Sequence, residues 1–336
     1  MIVGQNEQAL AAADGVTAEL IVGGSSDDTH PLVRVVPRWL RLLLGNRRAR
    51  IGLLIIGFFV FIAVFGRLIF HGNPLTPDYS GLPEQAPSAR HWLGTDQQSH
   101  DIFRQLVYGT RPTLILGFSI GAIATAIAVI IGMTAGYFGG LVDELLSLLM
   151  NVFLVLPTIP LMIVIAAWLR VRSDLSIIVV ISLTSWAFGA RVFRSQTLSL
   201  REREFALLAV VRGESRLRVA LVEILPNMMS LVVSGLIGTT IFAIGTAAGL
   251  QFIGLGNLSE VNWFTVLYWA QNTSSLETGA WWTFVPAGLA IAVFGMGCTF
   301  VNYGIDQISN PRLEQARKEM RPTLLRRSRS LARNKA

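Results

Sequence analysis

The sequence predicts an all-α membrane protein of six transmembrane helices with both termini in the cytoplasm. Three observations carry that expectation. The 336 residues are 52% hydrophobic and only 15% charged, with a mean hydropathy of +0.54, too little charge to cover a soluble domain of this length. Apolar runs of about 20 residues recur, each long enough to cross a hydrocarbon core of roughly 30 Å. The runs are continuously apolar and do not alternate with period two, which excludes a β-barrel.

The spans follow from the positions of the charges. The first covers residues 51–70, with Arg67 near its far end, where a long side chain snorkels to the boundary. The second covers 113–137. The third covers 145–169 and contains Pro157 and Pro160. The fourth covers 175–190, the fifth 228–250 and the sixth 281–303. The implied organisation is a cytoplasmic tail with a basic juxtamembrane segment (1–50), the first span (51–70), an extracytoplasmic loop (71–112), a helical core (113–305) and a basic cytoplasmic tail (306–336).

Arginine placement sets the orientation. Six arginines precede the first span, seven lie between Arg191 and Arg218, and nine basic residues follow from Arg312. One side thereby collects 22 of the 28 lysines and arginines, and by the positive-inside rule that side is the cytoplasm. The formal charge of +7 is accounted for by topology and anionic headgroups, so no nucleic acid is expected as a partner. Cys298 is the single cysteine, which leaves no disulfide framework and no cysteine-based metal site. The first thirty-three residues lack a basic n-region and read as a cytoplasmic tail, not a signal peptide.

The spans lack what several transporter classes need. Apart from Arg67 at its edge, no apolar core carries an ionisable residue, so a proton relay has no evident members. The two lysines, Lys318 and Lys335, are followed by Glu319 and Ala336. A phosphate-binding Gly-Lys-Ser/Thr loop is therefore absent, and any uphill transport draws its energy from another chain. Gly117 with Gly121, and Gly245 with Gly249, form GxxxG pairs. Such pairs suit either helix packing within the chain or a pathway at a subunit interface.

One short segment breaks the pattern. REREFALLAVVRGESRLRVALVEILPN (201–227) carries five arginines and four glutamates. Its first arm, Glu204 to Arg212, reads as a short helix and Gly213 as a turn. The second arm places Leu217, Leu221 and Ile224, with Ala220, on one helical face, and sends Arg216, Arg218 and Glu223 elsewhere. Pro226 disfavours helical geometry at Leu225 and marks a bend into the fifth span. A helix resting on lipid has the same pattern, and pattern alone leaves both readings open.

This segment resembles the cytoplasmic coupling loop, or EAA motif, of ABC importer permeases, in which a glycine is followed at a fixed interval by Ile/Leu-Leu-Pro. Gly213 and Ile224-Leu225-Pro226-Asn227 match that spacing. Other blocks resemble the dipeptide/oligopeptide permease C subunits in the same order. They are WLGTDQQSHDIFRQLVYGTRPTLILG (92–117), AGYFGGLVDELL (135–146), FLVLPTIPLMIVIA (153–166), FIGLG (252–256), WWTFVPAGLAI (281–291) and NYGIDQISNPRL (302–313).

The resemblance implies a type I importer permease in the plasma membrane of a prokaryote. Its implied partners are a second permease, two ATPase subunits and an extracytoplasmic binding protein. It further implies no enzymatic activity and no cofactor in this chain, ATP being held by the partner subunits. Glu204, Leu207, Leu208, Ala209, Arg212, Gly213, Glu214, Arg216 and Pro226 are the expected ATPase-coupling residues. The loops 71–111 and 257–280 are expected to face the binding protein.

Two departures stand out. Leu207-Leu208-Ala209 occupies the family's Glu-Ala-Ala positions, so this arm is expected to dock through apolar contact. His100 replaces a common arginine before Asp101 and is read as a surface residue without a metal or catalytic role. Trp263, Trp269, Trp281 and Trp282 are expected as interface anchors. Thr239, Thr240, Thr246 and Gln251 are candidate path residues, although threonines in helices commonly bond their own backbone. Oligopeptides or dipeptides are the expected substrate. Oligosaccharide import within the same family, a secondary carrier and a non-transporting membrane anchor are the alternatives.

Overall fold

The structure is a computed structural model and describes residues 45–79, 83–168 and 173–309. The N-terminal tail up to Leu44 and the basic tail from Asn310 lie outside the described residues, with most of the charges used to orient the chain. The described residues are almost wholly helical, with one isolated antiparallel bridge between Thr95 and Asp101.

The elements run α1 Arg47–Ile69, α2 Ile102–Phe138, α3 Gly140–Val155, α4 Thr158–Trp168 and α5 Asp174–Arg201. A charged turn follows, with α6 Glu204–Val211, α7 Arg216–Arg218, a π-helical turn Val219–Ile224 and α8 Leu225–Asn227. The chain then forms α9 Met229–Phe252, α10 Trp263–Asn272, a 3₁₀ turn Trp281–Thr283 and α11 Val285–Ser309. Five helices (α1, α2, α5, α9 and the last, α11) are long and apolar enough to cross a membrane. The count is six if α3 and α4, bent by 89°, form one span.

Several expected boundaries are corrected. α1 starts at Arg47, four residues before the expected span, where the Asn46 side chain accepts from Arg48 N. Residues 102–112, assigned to the loop, form the first turns of α2. Asp101 caps that helix by accepting from Arg104 N at 3.0 Å, and Pro112 is carried inside it. α5 continues eleven residues past the expected end of the fourth span. The sixth span starts later, at Val285, after the short turn that holds Trp281 and Trp282. The third span is broken where Leu156 adopts an extended conformation, φ −69° and ψ 131°, the geometry favoured for a residue preceding proline.

Packing centres on α2, which contacts α5 more extensively than any other pair of elements meets. A Cβ built at Gly136 would lie 2.7 Å from the Arg194 carbonyl and 2.9 Å from Thr197 Cβ. One built at Gly132 would strike the Ala190 carbonyl. These two glycines let the α2 and α5 backbones touch. Gly117 and Gly121 press on Ile244 and Thr240 of α9, so this GxxxG pair is an internal packing face. Gly245 and Gly249 meet nothing within 4 Å.

Two apolar clusters result. One gathers Phe59, Trp263 and Phe294, with edge-to-face ring centroids 5.2 and 5.7 Å from Phe59. The other joins Phe193, Trp186 and Met150 to Ala209, Ile224 and Met228 of the charged turn and its exit. Trp263 is therefore core: it is fully buried, and its indole donates to Leu106 O at 3.2 Å. The expected interface anchor is corrected.

Candidate functional site

The charged turn is a built structure. α6 buries Ala206 and Ala209 against the bundle, three residues apart on one face. The helix closes in a Schellman motif, with Gly213 N donating to Val210 O (3.0 Å) and Glu214 N to Ala209 O (3.2 Å). The motif requires a left-handed residue after the cap, and Gly213 supplies it at φ +80°. Ser215 then starts the second arm by accepting from Arg218 N at 3.4 Å.

The second arm departs from the expected α-periodicity. Val219, Ala220 and Ile224 are buried, whereas Leu217 and Leu221 are 62% and 50% exposed. The cause is the π turn, whose i→i+5 bonding appears as Leu225 N donating to Ala220 O. A wider turn changes which residues share a face. It also bears on Pro226, whose ring would clash with the carbonyl four residues back in a regular α-helix. Leu225 accordingly stays helical at φ −55°, ψ −45°, and the break expected there falls at Met228, φ −110°, ψ 9°.

Seven aliphatic side chains stay outward among the exposed charges. Leu207, Leu208, Val210 and Val211 on the first arm, and Leu217, Leu221 and Val222 on the second, are all exposed, Val211 at 83%. Of the candidate coupling residues, Ala209 is fully buried and helps seat the arm. Arg212 pairs with Glu223 across the two arms at 3.6 Å, and Glu214 pairs with Arg218 at 2.7 Å. Glu204 and Arg216 are exposed and form no ion pair among the described residues. Pro226 is exposed as well.

The turn is fastened to the bundle through α5. Arg194 donates to both carboxylate oxygens of Asp143 on α3, at 2.5 and 2.7 Å. Arg191 Nη2 donates to Asn151 at 2.7 Å. Arg201 Nη1 reaches the Gly136 carbonyl at 3.0 Å, occupying one of the unpaired carbonyls at the α2 C-terminus. Arginine count revealed this region, but no sequence pattern gave these partners.

A cleft of about 530 Å3 opens among α3, α4, α5 and α9. Thr239 lines it, with Phe153, Thr158, Ser185, Phe188 and Phe242. Ser185 Oγ is buried there without a hydrogen-bond partner among the described residues. The other path candidates fare differently. Thr240 is fully buried, donates to Leu236 O at 2.8 Å and packs on Gly121. Gln251 is also fully buried, and neither amide atom finds a partner among the described residues. Thr246 is half-buried and outside the cleft lining. Thr240 and Gln251 are corrected to interior positions. Phe153 and Thr158 enter the lining because the bent α3–α4 pair turns them inward.

At the opposite end of the bundle, the two loop regions form one cap. Gln97 Nε2 donates to Thr273 O at 2.6 Å, Trp282 Nε1 to Thr95 O at 3.3 Å, and Thr278 Oγ1 to Glu84 Oε2 at 3.1 Å. His91 lies buried between Asp101 (2.8 Å from Nδ1) and Asp78 (3.3 Å from Nε2). His100, read from sequence as a surface residue, is buried and sits 3.1 Å from Asp96. It fills a structural position in the loop.

The family model described as binding-protein-dependent transport system inner membrane component matches residues 128–315, which include the charged turn. The dipeptide transport system permease protein DppC of Alkalihalophilus pseudofirmus is 32% identical over 290 residues, 86% of this chain and 93% of that protein. The oligopeptide transport system permease protein OppC of Bacillus subtilis is 28% identical over 273 residues, 81% of this chain and 88% of that one. Among solved structures, the MetNI methionine ABC transporter aligns with 62% of this chain and 95% of its own at a TM-score of 0.49 and 18% identity. From the match across its helical core and the near full-length relatives, this multi-pass chain belongs to the family of binding-protein-dependent transport system inner membrane components.

Proposed function

We propose that this permease moves short peptides, received from a binding protein outside the cell, on energy supplied by separate ATPase subunits. The observation that carries the reading is the outward apolar surface of the charged turn. Seven exposed aliphatic side chains on two rigidly joined short arms are costly to leave in water and are suited to a groove in another protein. Intrachain pairing of Arg212 with Glu223 and Glu214 with Arg218 leaves Glu202, Arg203, Glu204 and Arg216 as rim charges for that contact. The names of the relatives support peptides as substrate.

In this reading the charged turn faces the cytoplasm and the cap faces the binding protein. ATP binding closes the ATPase pair, the turn moves as a unit with α5, and the bundle rocks against a second permease. Gly238, Gly245 and Gly249 on α9 meet nothing within 4 Å in this chain and offer a close-approach face for that partner. The 530 Å3 cleft, bordered by α9, contributes to the path. Its lining, with phenylalanines and hydroxyls and without charge, suits peptide backbone and apolar side chains.

The test is to purify the complex gently through this chain and identify its companions by mass spectrometry, alongside Gly213→Trp. A nucleotide-binding ATPase and a second permease should accompany the wild type, and the ATPase should be lost from the variant. Recovery of the chain without any ATPase under every mild condition refutes the reading.

A further inference from the structure

Four charged residues from separate elements line a second cavity, of about 190 Å3, at the end of the bundle opposite the charged turn. They are Arg67 on α1, Arg111 on α2, Asp174 at the start of α5 and Glu260 in the segment before α10. Packing positions the arginines. Gly66 lies against Val107, bringing α1 onto α2, and the Arg67 guanidinium sits 5.6 Å above the Tyr108 ring. α2 is roughly 55 Å long, against a hydrocarbon core of roughly 30 Å, and Arg111 lies about 14 Å from its start. A hydrocarbon core centred on α2 would begin about there, which puts Arg111 at its boundary with the headgroups.

The four charges do not neutralise one another. Among the described residues neither arginine forms an ion pair with either carboxylate, although all four share the cavity. Oδ1 of Asp174 accepts from no donor among the described residues, and the Glu260 carboxylate lines the same cavity. Glu260 is otherwise approached by Asn257 Nδ2 at 3.4 Å. Arg67, Arg111 and Glu260 are exposed and keep their charges solvated, while Asp174 is half-buried. A cavity that keeps a cationic half and an anionic half complements a zwitterion, with an anion for the arginines and an ammonium to relieve the carboxylate pair.

We propose that this cavity binds the phosphoethanolamine headgroup of a membrane lipid, with the phosphate at Arg67 and Arg111 and the primary ammonium between Asp174 and Glu260. The surroundings favour a lipid over a soluble zwitterion. Ile115 in the cavity wall is 53% exposed, and Val64, Phe65 and Leu68 beside Arg67 are exposed as well, giving acyl chains an apolar surface. A glycerol headgroup brings no cation to the carboxylates, and choline has no N–H to donate.

The test is native mass spectrometry of the full chain, with whatever subunits remain attached, after equilibration with equal amounts of phosphatidylethanolamine, phosphatidylglycerol and phosphatidylcholine. One phosphatidylethanolamine per chain should be retained about tenfold over the others. That preference should vanish in Arg67→Ala/Arg111→Ala and in Asp174→Asn/Glu260→Gln. It should survive in Arg111→Lys and Asp174→Glu, which separates recognition from a folding defect. Equal retention of all three lipids, or unchanged preference in both double variants, overturns the site. Free O-phosphoethanolamine and dialanine, added at the lipid concentration, should displace nothing. Displacement by either assigns the cavity to a soluble zwitterion and overturns the lipid reading. The readout needs no transport, so it stands or falls apart from the proposed import activity.

Discussion

Arg194 and Asp143 form a two-pronged ion pair between α5 and α3, at 2.5 and 2.7 Å, with side chains only 30% and 20% exposed. The pair sits where α5 leaves the bundle for the charged turn. Ser147 donates to the same carboxylate at 3.1 Å. The bent α3–α4 element and the turn are thus tied to one helix at the end that leads into the turn.

Breaking this pair should cost more than an exposed salt bridge does, because removing one partner leaves the other charge half-shielded from water. Asp143→Ala and Arg194→Ala should each lower the thermal midpoint. A double-mutant cycle should return a coupling of about 1–3 kcal/mol. Arg194→Lys should recover part of it, since a lysine cannot reproduce the fork. A coupling near zero means the pair is incidental to the bundle.

Gly213 stands in open space: a Cβ added there would meet nothing within 4 Å, and φ is +80°. Within this chain a small substitution there therefore acts through the backbone. Gly213→Asn should be nearly neutral, Gly213→Ala should cost about 1 kcal/mol and Gly213→Val more, following tolerance of the left-handed region. Peptide uptake should fall in the same order while the amount of chain in the membrane stays constant. An uptake defect in Asn equal to that in Val would remove the Schellman turn from the coupling argument.

The contrast between Gly213 and its neighbours explains what the sequence disclosed. A glycine between two charged arms announces a turn because only the backbone matters there. The face expected from Leu217, Leu221 and Ile224 does not form, because a π turn has no compositional signature and a 3.6-residue period does not carry through it. Pro112 similarly resembles a helix boundary in sequence, yet α2 runs through it. Asp101 caps α2 eleven residues earlier, and Thr113 and Trp263 hold the two elements together at 3.1 Å. The spans are legible because a bilayer imposes length and apolarity on each segment separately. The 530 Å3 cleft is not, since Phe153, Ser185 and Thr239 meet only after α3–α4 bends against α5 and α9.

Gly132 and Gly136 offer the opposite case to Gly213, a cost set by contact. A methyl at Gly136 meets the Arg194 carbonyl and Thr197, all of it backbone or side-chain atoms close to the backbone that cannot swing aside. Gly132→Ala and Gly136→Ala should each destabilise by about 1–3 kcal/mol through overpacking, read as a drop in thermal midpoint of the purified chain. Stability unchanged in both would mean α2 and α5 are free to separate.

Gly245 and Gly249 provide the control that tests assembly. Both are glycines on a membrane helix, but neither has a neighbour within 4 Å. Among the described residues a Cβ there meets nothing, and replacing glycine improves helix propensity by up to about 1 kcal/mol per site. Gly245→Leu/Gly249→Leu should therefore leave the isolated chain as stable as the wild type. If α9 packs closely on a second permease, the same change should abolish co-purification of that partner, because two leucines hold the backbones apart. Retention of the partner with both leucines in place would move the permease interface off this face of α9, and with it the role assigned to the glycines.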